Sequence, residues 1–224
     1  MFPRSGPQIA KRLFAPIAPG YERWAALLSL GQDARWRRRM VAGLDLPPGA
    51  LVLDVAAGTG SISRALEAGG CQVVALDLSS RMLDHHPGRW RILGRGDQLP
   101  FRAESFDGVT FGYLLRYVDD PRACVAELAR VLRPGGKLGM IEFGLPRGGW
   151  HSLWRIYTGW LLPLFGRLIS PGWAEVGRFL RGSIESFHQR WPEPGDMWTE
   201  AGLVEVKTVS MSLGGGLVMW GRKP

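Results

Sequence analysis

From Pro47 onward the chain alternates short apolar runs with amphipathic helical stretches, and that alternation restricts the fold more than any other feature. The runs are Leu51 to Val55, Gln72 to Leu76, Arg91 to Leu93, Phe106 to Phe111 and Lys137 to Phe143. Runs of this length are strand-sized, and strands separated by helices pair in parallel with helices on both faces of the sheet. The helix before the fifth run has the clearest boundaries. Asp120 caps it, Pro121 fills its first turn, Val125, Leu128, Val131 and Leu132 form one apolar face, and Pro134, Gly135 and Gly136 end it. The chain closes differently, with Val204 to Met211 and Leu217 to Arg222 joined by Gly214, Gly215 and Gly216, a hairpin signal. The expected architecture is a doubly wound α/β fold, a mostly parallel seven-stranded sheet whose last strand is antiparallel.

One domain accounts for the 224 residues. Within it, 1–46 reads as a helical flank: Trp24, Leu27, Leu28 and Leu30 precede Gly31, and Trp36, Met40 and Val41 recur at helical spacing beside Arg37, Arg38 and Arg39. A ligand-binding core follows over 47–146, then a helical lid or insertion over 147–195 and the closing strands over 196–224. With 46% hydrophobic and 21% charged residues the chain is globular, not disordered. Its longest strongly apolar stretch, Trp160 to Gly166, is far below the ~20 residues that span a bilayer. The N-terminal MFPRSGPQIAKRLFAP lacks the apolar core of a secretory signal, so a cytoplasmic protein is expected. Cys71 and Cys124 are too few for a disulfide framework or a zinc cluster, and no metal site is expected. The net charge of +8 is compatible with nucleic acid, an anionic membrane or an anionic ligand, and does not choose among them.

The chemistry is written in Leu51-Val52-Leu53-Asp54-Val55-Ala56-Ala57-Gly58-Thr59-Gly60, glycines placed directly after a buried strand and before a helical pattern at Ser61. Glycine there lets the backbone approach a ligand, and the helix start offers unpaired N–H groups. The second strand ends at Asp77, where a carboxylate can accept from both hydroxyls of a ribose. Positions 58 to 63 read GTGSIS and lack the third glycine of a dinucleotide fingerprint, which disfavours NAD. Asp54, at the end of the first strand, can favour a cationic amino-acid or sulfonium group directly or through water, and S-adenosylmethionine fits this better. Asp97, in Gly96-Asp97-Gln98 after the third strand, can accept from the adenine amine.

These residues resemble the class I S-adenosylmethionine-dependent methyltransferases, and more narrowly the ubiquinone/menaquinone biosynthesis C-methyltransferases. The resemblance covers nearly the whole chain: Tyr21 with Leu27 to Gly31 and Trp36, Leu53 to Gly60, Leu99 to Phe101, Leu115-Arg116, RVLRPGG from Arg130 to Gly136, Ile141 to Phe143, and LPLFGRLIS from Leu162 to Ser170. It implies the Rossmann-like methyltransferase fold and transfer of a methyl group to a ring carbon of a lipid-soluble prenylated quinol, with S-adenosylhomocysteine as product. For the cofactor it implies Asp54, Ala56, Gly58, Thr59, Gly60, Asp77, Leu78, Met82, Asp97, Gln98 and Gly112. The departures fall where an acceptor is expected: Tyr117 replaces the family's Asn after Arg116, Ala25 replaces another Asn, and Asp33 stands where His is usual.

Methylating an aromatic carbon requires electron density there, so the enzyme must deprotonate or hydrogen-bond an adjacent hydroxyl and align the ring. Arg116 is placed beside the developing phenolate as an anion stabiliser, since its pKa above ~12 makes it a poor base. Tyr21, Asp33 and Tyr117 complete the catalytic set, with Glu142 and His151 as further candidate bases. Trp150, Trp154, Trp160 and Trp173 with Arg155, Arg167, Arg178 and Arg181 suit a peripheral membrane contact at the inner face through 150–181, or a packed lid. The absence of an Asn-Pro-Pro-aromatic motif after the fourth strand argues against nucleic acid as acceptor. Methylation of nitrogen or oxygen in another small molecule or a phospholipid headgroup, and an inactive cofactor-binding module, stay open as alternatives, as does a homodimer.

Overall fold

The computed structural model describes residues 5–224, so the start of the N-terminal flank and of the segment weighed as a signal lies outside the described residues. The chain opens with α1 (Gly6–Phe14), a 3-10 turn (Ala15–Ile17), α2 (Tyr21–Leu28) and α3 (Gln32–Leu44). Then come β1 (Leu51–Val55), α4 (Ser61–Ala68), β2 (Gln72–Asp77), α5 (Ser80–Leu83), β3 (Trp90–Leu93), β4 (Phe106–Gly112), α6 (Pro121–Arg130) and β5 (Leu132–Phe143). Helix α7 (Gly149–Ile156) runs through a π-helical turn (Tyr157–Leu161) into α8 (Leu162–Ile169), followed by α9 (Pro171–Arg190), α10 (Gly195–Glu200), β6 (Val204–Met211) and β7 (Gly216–Arg222).

The strands form one seven-stranded sheet in the order β3-β2-β1-β4-β5-β7-β6. All pairings from β3 to β5 are parallel, and β7 runs antiparallel to both β5 and β6, as the closing glycines predict. Alternation along β1 assigns its side chains to two cores. Val52 packs with Met40 and Leu44 of α3 and Leu66 of α4, while Leu53 and Val55 join Val125 and Leu128 of α6 and Trp198 of α10. The strand order reverses between β1 and β4, which opens a crevice above their carboxyl ends.

One expected boundary is wrong. Asp120 does cap α6, accepting from the N–H groups of Arg122 and Ala123, but the helix ends at Arg130. Leu132 already pairs with Phe106, and Arg133 to Gly136 lie within β5 across an irregularity in the ladder between Phe106 and Gly108. Val131 and Leu132 are fully buried, but outside the helix. Their apolar periodicity is the same in either state, so it could not separate them.

The flank and the insertion together roof the crevice. Ser170 caps α9 through the Trp173 N–H, with Pro171 at its first position. A Cβ at Gly166 would lie 2.6 Å from the Trp173 carbonyl oxygen, and one at Gly177 would lie 2.9 Å from Pro163 Cα. Glycine at these two positions lets α8 and α9 lie directly against each other. No helix among the described residues is long and apolar enough to cross a membrane.

Candidate active site

Two cavities meet above the sheet. The first, ≈ 1040 Å³, follows the carboxyl ends of β1, β2 and β4. The loop after β1 turns through left-handed conformations at Ala56 (φ 55°), Gly58 (57°) and Gly60 (88°), which brings its backbone to the wall of the cavity. Of the residues expected to hold a cofactor, Ala56, Gly58, Thr59, Asp77, Leu78, Met82, Asp97 and Gly112 line this cavity. Asp77 accepts from the Gly58 N–H at Oδ2 and from the Ser79 N–H at Oδ1, both at 2.8 Å. Each oxygen keeps a lone pair for a further donor. Arg95 grips Asp97 through two hydrogen bonds of 2.9 and 2.7 Å and holds its carboxyl below the usual range.

Three expected cofactor residues do not reach the cavity wall. Gln98 sits in a small bridge with Arg95. Gly60 faces His86, where a Cβ would meet the imidazole and Pro87 at 2.9 Å. Asp54 is fully buried on the α4 side of β1, so direct contact with a ligand in this cavity is not available to it. It pairs in register with Thr110 on β4, whose hydroxyl donates to it at 2.9 Å, and Ser63 of α4 donates at 2.6 Å.

The second cavity, ≈ 1250 Å³, lies under α2, α3 and α7 to α9 and has largely apolar walls, among them Leu28, Trp36, Phe143, Leu162, Trp173 and Leu180. All four residues named as catalytic, Tyr21, Asp33, Arg116 and Tyr117, line it, as does Ala25. Phe14, Tyr21, Tyr113 and Tyr117 wall both cavities. Tyr21 stacks on Trp173 with centroids 5.7 Å apart, and burial with the nearby Asp33 charge pushes its phenol well up. Burial likewise raises the Tyr117 phenol, against the lowering effect of Arg116. Neither tyrosine is preset to ionise as a base.

Arg116 stands differently from the sequence expectation. Its guanidinium is buried and donates from Nε to Glu142 at 2.9 Å, and from one terminal nitrogen to Ser183 at 2.7 Å and Tyr117 at 3.3 Å. Glu142 therefore offsets much of the charge expected to face a phenolate. Glu142 is committed to this pair, and His151 lines neither cavity, stacking instead on Trp154. No group of metal-ligating side chains occurs among the described residues.

The chain matches the model of the ubiE/COQ5 methyltransferase family over residues 4–223. It belongs to that family. A ubiquinone/menaquinone biosynthesis C-methyltransferase of Desulfotalea psychrophila is 35% identical, the match covering 97% of this chain and 91% of that protein. A demethylmenaquinone methyltransferase of Renibacterium salmoninarum is 37% identical over 95% and 90%. Among solved structures, an S-adenosylmethionine-dependent methyltransferase of Thermotoga maritima superposes with a TM-score of 0.64 at 21% identity, covering 96% of this chain and 99% of that one, a likeness of fold.

In this ubiE/COQ5 methyltransferase, Asp54 ties β1 to α4 and β4. The Gly88 N–H donates to His86 Nδ1, so the ring proton is on Nε2 and is given to Ser63, whose own proton goes to Asp54. Burial raises the Asp54 carboxyl from the ordinary 3.8 to about 6. Because the folded-state value is the higher one, stability from this group is fully present below about 4 and falls as pH rises to about 6, by about 3 kcal/mol. Asp54→Asn removes that titration. Its stability relative to the native protein, from urea unfolding, should be better at pH 7 than at pH 4 by about 3 kcal/mol; an equal difference at both pH values contradicts the assignment.

Sequence reasoning missed Glu22. Its carboxylate accepts from Thr59 and Ser61 at 2.9 Å each and pairs with Arg64, latching α2 onto the glycine loop. Burial would raise this carboxyl, but those hydrogen bonds outweigh it and hold it low. Nothing local in the sequence marks a contact spanning 37 residues. Tyr113 and Arg37 were missed too, although Tyr113's place at the carboxyl end of a parallel strand is a usable signal.

Proposed function

We propose that the first cavity holds S-adenosylmethionine and the second the ring of a prenylated quinol, and that the enzyme methylates a ring carbon of a demethylmenaquinol or a ubiquinol precursor. The observation that carries this reading is the junction, where Phe14, Tyr21, Tyr113 and Tyr117 wall both the cleft along the strand ends and an apolar chamber. The names of the Desulfotalea and Renibacterium relatives support the acceptor class.

The residues present fit the cofactor. Asp77 has lone pairs for two ribose hydroxyls, Leu78 and Met82 offer apolar contact to a flat base, and the turn from Ala56 to Thr59 admits close approach. When bound, the cofactor supplies a methyl group as an electrophile on sulfonium sulfur. The chain's own residues orient the ring between Tyr21, Tyr117 and Phe143 and exclude water with the apolar roof. A prenyl tail leaves between Trp154, Tyr157 and Leu162, and the outer face of α7 and α8 meets the bilayer from which such an acceptor comes.

Asp77→Ala tests the cofactor half. A carboxylate accepting from uncharged donors is worth about 1.5–3 kcal/mol per bond, so affinity for S-adenosylhomocysteine should fall at least tenfold. Unchanged affinity by calorimetry in a folded variant removes the assignment. The acceptor half is decided by mass spectrometry of products from quinols, ethanolamine lipids and RNA offered in parallel.

A further inference from the structure

Tyr113 is placed with more care than lid packing requires. It follows Gly112 at the end of β4 and takes a left-handed conformation, φ 58°, costly for a residue with a large side chain. Its N–H donates to the Ile141 carbonyl at 3.0 Å, and its ring stacks on Phe143 with centroids 4.6 Å apart. Its hydroxyl donates to Asp33 Oδ1 at 2.6 Å, and Arg37, one helical turn along α3, pairs with the other oxygen of Asp33. Three elements thus fix one phenol at the junction of the cavities. Tyr113 touches both of them, Asp33 the second and Arg37 the first.

A hydroxyl has one proton to give, and Tyr113 gives it to Asp33. What it offers to a ligand is therefore a lone pair aimed into the junction, an acceptor for a hydroxyl. We propose that Tyr113 is the catalytic residue that takes the hydroxyl proton of the methyl acceptor while passing its own proton to Asp33. This rests on the quinol reading above. As the ring carbon gives its electron pair to the incoming methyl, the sulfur keeps the pair of the broken bond and positive charge spreads onto the ring oxygen. The hydroxyl then becomes far more acidic than a resting phenol, and its proton passes through Tyr113 to the Asp33 carboxylate. The methylated carbon next loses its own proton to water, the ring regains its aromatic electrons, and the oxygen recovers a proton from Asp33 through Tyr113. One proton leaves per methyl transferred.

The surroundings suit a relay. Burial, with the Asp33 charge, holds the Tyr113 phenol well above its ordinary range, so it shuttles a proton without ionising. The other titratable or charged groups facing it are Tyr21 and Arg37, with Arg116 and Tyr117 beyond Tyr21. Tyr113 reaches Asp33 from another element, the end of β4 meeting α3.

Tyr113→Phe keeps the stacked ring and removes the oxygen; Asp33→Asn keeps a hydrogen-bond acceptor and cannot store a proton. With a short-chain naphthoquinol kept reduced, each should lower kcat about 10²-fold; Tyr113→Phe should also raise KM by up to about tenfold, the hydroxyl contact it loses, while Asp33→Asn leaves KM nearly unchanged. A measurement without turnover accompanies these: the native chain should bind 1-naphthol about tenfold more tightly than 1-methoxynaphthalene, and Tyr113→Phe should lose that preference. Denaturant unfolding monitors folding of both variants. Tyr113→Phe with native kcat, or with the naphthol preference intact, overturns the relay. A native protein that methylates no quinol overturns only the acceptor reading, because the naphthol comparison still decides Tyr113.

Discussion

Arg116→Ala should destabilise the protein by about 3–5 kcal/mol, because it leaves Glu142 as an unpaired charge in the core. Both side chains are almost wholly buried, 2% and 1% exposed. Glu142 Oε1 would keep only the Phe143 N–H at 2.7 Å, and Oε2 has no hydrogen-bond partner among the described residues. For a chain of this size the loss corresponds to a fall in Tm of roughly 10 °C. Removing both charges together with Arg116→Met and Glu142→Met should recover much of it, since apolar residues of similar volume replace a buried pair at little cost. Denaturant unfolding of the native, single and double variants reads both effects. A single-variant loss under about 1 kcal/mol contradicts a buried, mutually dependent pair. Turnover of Arg116→Ala is informative only below its unfolding transition; there a further ~10²-fold loss, partly restored by Arg116→Lys, would mark a direct electrostatic role.

The sequence made the sheet legible because β-strand signals are local, and its central strands β1 and β4 are buried on both faces. Leu51 to Val55 and Val204 to Met211 fall on the observed strands residue for residue. Helix α1 fell within the expected helical flank, but its bounds and its place in the fold were not legible. It buries little beyond Pro7 and Leu13, and it is held by distant partners: Gly6 donates to Asp119 at 2.9 Å and lies so close to the Tyr117 carbonyl that a Cβ would come within 2.6 Å. The same physics explains the site. Gly58 and Asp77 are named by turn geometry and strand position, both local properties. Whether Asp54 faces a ligand or Ser63, and whether Arg116 faces a phenolate or Glu142, depends on which side chains arrive from β4, β5 and α4. The departures at Ala25, Asp33 and Tyr117 did point to one place, since all three line the second cavity.

Changing Trp160, Leu164 and Leu168 together to serine should lower partition onto anionic vesicles by about 10²-fold. Leu161, Leu164, Phe165 and Leu168 recur at helical spacing on α8 and its π-helical lead-in, yet they face outward, Leu168 being 78% and the nearby Trp160 76% exposed. A surface helix normally shows its polar face there. The buried face of α8, Leu162 and Gly166, is already used against α9. Two of the four indoles first assigned to this surface turn inward: Trp154 lines the second cavity and Trp173 is buried against Tyr21. Their loss should act on acceptor binding instead. Charge chooses the covering partner, since Glu175 pairs with Arg12 and Glu185 faces Arg155, while Arg167, Arg178 and Arg181 have no carboxylate partner among the described residues and share a shallow cleft with Trp160 and Leu164. Each of the three apolar side chains entering the bilayer contributes about 1 kcal/mol, and each arginine at most a similar amount near anionic lipid. Binding should therefore weaken with salt without vanishing, and the triple variant should lose turnover of a long-tailed quinol in vesicles while keeping that of a short soluble one. No flotation with anionic vesicles at low salt, or equal loss on both quinols, reduces the face to the outside of an ordinary lid.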